Sequence, residues 1–182
     1  MRKLIFTLNI SLDGVADHTV AIADDELHDF STHLLDTVDM VLFGRVTYQL
    51  FESYWPVAHA DPHATRSMIE FANKINAIPK IVFSRTLEKA TWNNTRLFKG
   101  DMVEEVLKLK QGTGGSLSIG GISLIQACMR LKLIDDYWLL VQPVIWGKGR
   151  QLFEDGIERL DLKLADSRTF KSGVVVLHYS PG

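Results

Sequence analysis

Hydrophobic and polar positions change period several times along the chain, and each change marks an element. From Lys3 to Ile10 the residues alternate and favour extended structure, so they predict a strand, which SLDG closes with a turn at Asp13-Gly14. No clear period follows until Asp24, which suits a helix cap. Asp25 and Glu26 fall in the first turn of that helix, where negative charge is favoured, and Leu27, Phe30, Leu34 and Val38 mark its buried stripe. After Asp39, MVLF is continuously apolar, as in a strand covered on both faces, and Gly44 ends it. A helix start follows at once in GRVTYQLF. Glu52 to Ala64 is aromatic and proline-bearing, which reads as a loop or broken helix. Ser67 to Ile78 returns to helical spacing, with Met68, Phe71, Ala72 and Ile75 on one face and Pro79 as the stop. Lys80 to Ser84 is a further buried-type strand, and after a turn at Asn93-Asn94 the stretch Asp101 to Gln111 is an amphipathic helix.

The run from Leu117 to Leu133 reads as strand, turn and helix. Leu117 and Ile119 alternate with serines, Gly120-Gly121 breaks the run, and Ile122, Ile125, Cys128, Met129 and Leu133 then recur at helical steps. Beyond Leu133 the pattern changes. Asp136 to Ile145 predicts a long strand with Pro143 at a bulge or edge, WGKGRQLF a glycine-containing crossover, and Leu160 to Ser167 and Thr169 to Tyr179 two more strands. Helices alternate with strands first, and strands follow strands later. The order predicts an α/β fold in one domain over residues 1–182, with a mainly parallel central sheet that ends in antiparallel strands.

Composition narrows the function. A net charge of -2 with no basic stripe argues against nucleic-acid binding. Asn9, Ser11 and Asp13 interrupt the first apolar run, so it is a strand and not a signal peptide, and no apolar segment approaches the length of a membrane span. Cys128 is the one cysteine and lies on a helical core face. A soluble cytoplasmic protein is expected. His59 and His63 are four apart, but Pro62 lies between them and no third ligand is evident, so no metal site is expected.

Three strand ends carry groups suited to phosphate: Gly44, Arg45 and Thr47; Ser84 and Arg85; and Gly120 with Gly121. Glycines let backbone approach a ligand closely, free N–H groups open a helix, and arginine offers a charge-assisted fork. In a parallel sheet these ends share one edge and could bracket an extended, multiply phosphorylated ligand such as a dinucleotide. Neither a Walker loop nor the usual Rossmann fingerprint is present.

The series SLDG, FGRVTY, IVFSR, SIGG and VQPVIWGKGRQLF resembles the dihydrofolate reductase-like superfamily. More narrowly it is similar to the reductase domain of the bifunctional riboflavin-biosynthesis deaminase/reductase and its single-domain relatives. The resemblance spans nearly the whole chain. It implies the three-layer dihydrofolate reductase-like fold, helices on both faces of the sheet, NADPH as cofactor and a homodimer. By the same resemblance Gly44, Arg45 and Thr47 meet the pyrophosphate, Ser84 and Arg85 the adenosine 2′-phosphate, Gly120 and Gly121 the pyrophosphate and nicotinamide ribose, and Ser11 and Asp13 lie near the nicotinamide.

The implied activity is NADPH-dependent hydride transfer to a small planar heterocycle, most closely an aminouracil intermediate of riboflavin synthesis. Dihydrofolate reduction, or a nucleotide-binding protein without turnover, are the alternatives. Hydride transfer needs orientation, a dry pocket and a proton source, and Asp13 is the candidate for positioning or proton supply. Aligning FGR places His28, with Asp29 beside it, where true dihydrofolate reductases carry a substrate-binding carboxylate. Tyr48 and Trp55 are candidates to stack on the heterocycle. The stretches that grip a phosphorylated sugar in the riboflavin enzymes read DDELHDFSTHLL and ESYWPV here, without an arginine. The strand Tyr137 to Ile145 and the segment that follows it are the expected dimer surface.

Overall fold

The computed structural model describes residues 1–182. Its strands are β1 (Leu4–Ser11), β2 (Val38–Gly44), β3 (Lys80–Phe83), β4 (Thr95–Phe98), β5 (Ser116–Gly120), β6 (Asp136–Gln142), β7 (Leu162–Thr169) and β8 (Val175–Pro181). The helices are α1 (Asp25–Leu35), α2 (Arg45–Glu52), α3 (Arg66–Ala77), α4 (Met102–Gln111) and α5 (Ile122–Arg130), and 3-10 turns cover His18–Val20 and Trp55–Ala60. All eight strands form one sheet in the order β4-β3-β2-β5-β1-β6-β8-β7. The first six pair in parallel, while β8 runs antiparallel to both β6 and β7. The fold is α/β with a parallel sheet that ends in antiparallel strands, as the order of periods implies, and it is the dihydrofolate reductase-like arrangement that the resemblance implies.

Alternation along the central strands divides the core in two. Leu4, Phe6 and Ile10 of β1, with Leu42 of β2, pack under α4 and α5 against Val106, Ile125, Cys128 and Met129. Ile5, Val41 and Phe43 point the other way, against Leu35, Tyr48, Phe71 and Ile75. A third group, Leu27, Leu140, Phe170, Val174 and Val176, packs α1 on the antiparallel end. Helices therefore cover both faces, and each large apolar side chain leaves water for one of two layers.

Four local expectations change. Helix α1 ends at Leu35, so Val38 opens β2 instead of closing the helix stripe. Strand β4 has no counterpart in the sequence reading, because four residues broken by Arg96 are too short to show a period. Strand β6 stops at Gln142, since Pro143 has no N–H to continue a ladder. It also lies between β1 and β8, so it offers no free edge for a dimer; the edge strands are β4 and β7, and in β7 every residue after Leu162 is exposed.

Candidate functional site

Strands β3, β2 and β5 are parallel neighbours, so their carboxyl ends lie on one edge and the three glycine or arginine junctions come together. Gly44 ends β2 and caps α2, and Gly121 caps α5. Gly120 pairs with Phe43, which sets the two turns side by side. Gly121 has φ +112, and a Cβ there would stand 3.2 Å from the Gly44 amide nitrogen and 3.3 Å from Thr47 Oγ1. Only glycine combines that backbone with that approach.

The helix starts differ in how they are capped. Side-chain oxygens of Asp24, Thr65 and Asp101 accept from the first-turn amides of α1, α3 and α4. Neither α2 nor α5 has a side-chain cap or an acidic residue in its first turn. Two bare helix starts therefore sit together, with their N–H groups and positive dipole ends free for an anion. Arg45 is exposed beside them and donates to Gln49 Oε1 at 3.0 Å. Arg85 is exposed beyond the end of β3. Ser84 Oγ accepts from the amides of Thr86 (3.2 Å) and Leu87 (2.9 Å), so it shapes the loop that carries Arg85.

The SLDG turn closes on itself. Ser11 is fully buried; its hydroxyl donates to Asp13 at 2.5 Å and accepts from the Val15 amide at 2.9 Å. Its O–H is committed to the Asp13 carboxylate, so the side chain shapes the turn. Asp13 also accepts from the amides of Trp146 (3.0 Å) and Gly147 (2.8 Å). The bonds from Ser11, Trp146 and Gly147 hold its carboxyl down at about 2. Asp13 is thus an ionised acceptor that clamps a distant loop and carries no proton to give at neutral pH. Backbone bonds from Leu12 to Val144, Ala16 to Arg150 and Leu152 to Gly14 strap the same two segments together.

The substrate candidates separate. His28 is buried, its Nδ1 2.8 Å from the Asp24 carbonyl, and it meets Trp55 and Phe71 edge-on. His28 and half-buried Trp55 do come together, as packing between α1 and the turn that follows α2. Asp29 is exposed to solvent. Tyr48 is wholly buried; its hydroxyl donates to Glu52 (2.6 Å) and accepts from the amides of Thr91 (3.0 Å) and Trp92 (3.1 Å). Burial and then Glu52 push its pKa up. Tyr48 has no open ring face for a ligand, which corrects its reading as a stacking residue.

The sequence reading missed Asn9 and Gln142, joined at 2.9 Å near the same edge. The signal was an asparagine within an apolar strand. No three His, Cys, Asp or Glu side chains gather as a metal site. His59 instead meets Asn73 at 2.9 Å. No helix is long and apolar enough to cross a membrane.

Residues 2–176 match the RibD C-terminal domain. The chain belongs to that family. The uncharacterized proteins YyaP and YwjB of Bacillus subtilis are 34% and 27% identical; each alignment covers 98% of this chain, and 94% and 97% of the respective relative. A solved pyrimidine reductase-like protein from Corynebacterium diphtheriae superposes over 100% of this chain and 92% of its own, with TM-score 0.67 and 14% identity. RibD of Acinetobacter baumannii superposes with TM-score 0.72 and 16% identity over 100% of this chain and 58% of that longer one. At those identities the superpositions speak for the fold alone, and the RibD C-terminal match gives the family.

Proposed function

We propose that the protein is an NADPH-dependent reductase that passes hydride to a planar pyrimidine or pteridine ring, of the aminouracil reductase type. The observation that carries this is the contact between the two bare helix starts at Gly44 and Gly121. A pyrophosphate fits them, because it needs unpaired N–H donors without a competing carboxylate. Gly44, Arg45, Thr47, Gly120 and Gly121 would hold it, and Ser84 with Arg85 the adenosine 2′-phosphate. The bound nicotinamide would supply the hydride. The chain's own part is to orient both partners and keep water out. Asp13 serves by fixing the Trp146–Gly147 backbone over the SLDG turn. The amino end of α1 presents Asp24, Asp25 and Glu26, which favours recognition of a ring over a phosphorylated tail. We also expect a homodimer through the open β7 edge; a monomeric mass by light scattering at micromolar protein would remove it.

Titration with NADPH and NADH, followed by tryptophan fluorescence, tests the cofactor assignment. Micromolar NADPH binding that weakens about tenfold in Arg85→Ala, with NADH little changed, is the expected result. Absence of binding by either nucleotide would sink the reductase.

A further inference from the structure

The two faces of the sheet are packed differently. Under α4 and α5 one hydrophobic cluster runs across the sheet. On the other face the packing is split, with Ile5, Val41 and Phe43 in one cluster and Leu140 and Val176 in another. Between them β1 and β5 present Thr7, Asn9, Ser118 and Gly120, small or polar where the flanking strands carry large apolar residues. Thr7 Oγ1 is buried there without a partner. This polar row runs up to Gly120-Gly121.

The orientation of Asn9 follows from its neighbours. A backbone N–H can only donate, so the Ile22 amide, 3.0 Å away, fixes Oε1 of Gln142 as its acceptor. Gln142 is fully buried, and its Nε2 must then donate to Asn9 Oδ1 at 2.9 Å. The amide nitrogen of half-buried Asn9 is left without a partner in the chain. Both ends of a buried glutamine are thus used to hold a neighbouring donor in one orientation.

We propose that Asn9 is a substrate-reading residue, whose amide nitrogen donates to a neutral ring carbonyl of a heterocycle bound along the polar row beside Gly120. Thr7, Asn9, Ser118 and Gln142 carry no charge, so the group read is a carbonyl oxygen and not a phosphate or carboxylate. This rests on the reductase reading and adds the chemical feature that its substrate presents.

The probes are lumazine, which bears a ring carbonyl at position 4, and 2,4-diaminopteridine, which bears an amino group there. Their binding to the full chain is compared with and without NADP+. The wild type is expected to prefer lumazine about tenfold or more, because a site built to donate to an oxygen leaves an amino group unpaired. Asn9→Asp turns the donor into an acceptor and should reverse the order. Gln142→Glu should also reverse it with Asn9 intact, since a carboxylate facing Asn9 turns its NH2 inward and its oxygen outward; melting curves show which variants stay folded. A merely structural role would lower binding of both rings alike. An unchanged preference in Asn9→Asp, or failure of the wild type to bind either ring, overturns the assignment. Ring preference that persists while NADPH fails to bind would sink the reductase reading alone.

Discussion

Gly121 approaches Gly44 so closely that a Cβ on the former would stand 3.2 Å from the amide nitrogen of the latter. This one contact joins two strand-to-helix turns that lie far apart in sequence, and it sets α2 and α5 starting side by side. Gly121→Ala must accommodate both the φ of +112 and the approach to Gly44 and Thr47. We expect a loss of about 1–3 kcal/mol in urea unfolding and a clear loss of NADPH affinity. Wild-type affinity in the alanine variant would contradict the role given to this contact.

Arg45→Ala should weaken NADPH and NADH alike, by about three- to tenfold, because the residue stands at the shared pyrophosphate end and not at the 2′-phosphate. The wild-type preference, measured as the ratio of the two dissociation constants, should stay constant. A selective loss of NADPH would exchange the roles of Arg45 and Arg85.

Tyr48→Phe takes the hydroxyl acceptor from the buried Trp92 amide, while the Thr91 amide keeps Glu52 Oε1 at 3.2 Å. A cost of about 1–3 kcal/mol is expected, with nucleotide and heterocycle binding unchanged. Weaker ring binding at undiminished stability would restore Tyr48 to the substrate site.

Asp13→Asn removes the charge that holds the amides of Trp146 and Gly147. Hydrogen exchange at those two amides should quicken. The folded carboxyl lies near 2, below its unfolded value near 3.9, so its contribution is complete above about pH 4 and is lost as pH falls toward 2. The stability gap between wild type and variant should therefore narrow over that acid range. A gap that is constant from pH 5 to pH 2 would remove the charge from the account.

Lys80 is buried, with its Nζ on the carbonyls of Ile75 (2.8 Å), Asn76 (3.3 Å) and Ile78 (2.7 Å) at the end of α3. Burial brings its pKa down to about 8. The unfolded lysine keeps its proton to about pH 10.4, so between those values the unfolded chain binds more protons and stability rises with pH. Wild type should gain on Lys80→Met from pH 8 to 10 in parallel urea titrations. A falling difference would mean that the carbonyls hold the ammonium charged.

Much of the fold was legible because its signals are local. Asp24 caps a helix, Gly44 and Gly121 break strands, and the change from alternating helices to consecutive strands announces the antiparallel end. What escaped was short or long-range. Strand β4 has too few residues for a period, and the limit of β6 depended on how Pro143 met its neighbours. Tyr48 and Trp55 look equally suited to stacking as letters, yet packing against Trp92 hides the first and leaves the second half-open. Asp13 looked like a possible proton source, but its partners are the Trp146 and Gly147 amides, on another segment of the chain.

The kinds of element, the parallel sheet and the groups that arrive at its carboxyl edge are written in the order of residues, because backbone preferences act between near neighbours. That β2 lies beside β5, that the starts of α2 and α5 meet, and that Gln142 orients the amide of Asn9 emerge only in the folded chain. Those relationships join segments distant along the chain, and they follow from the packing and hydrogen bonding of the whole sheet, which no local pattern encodes.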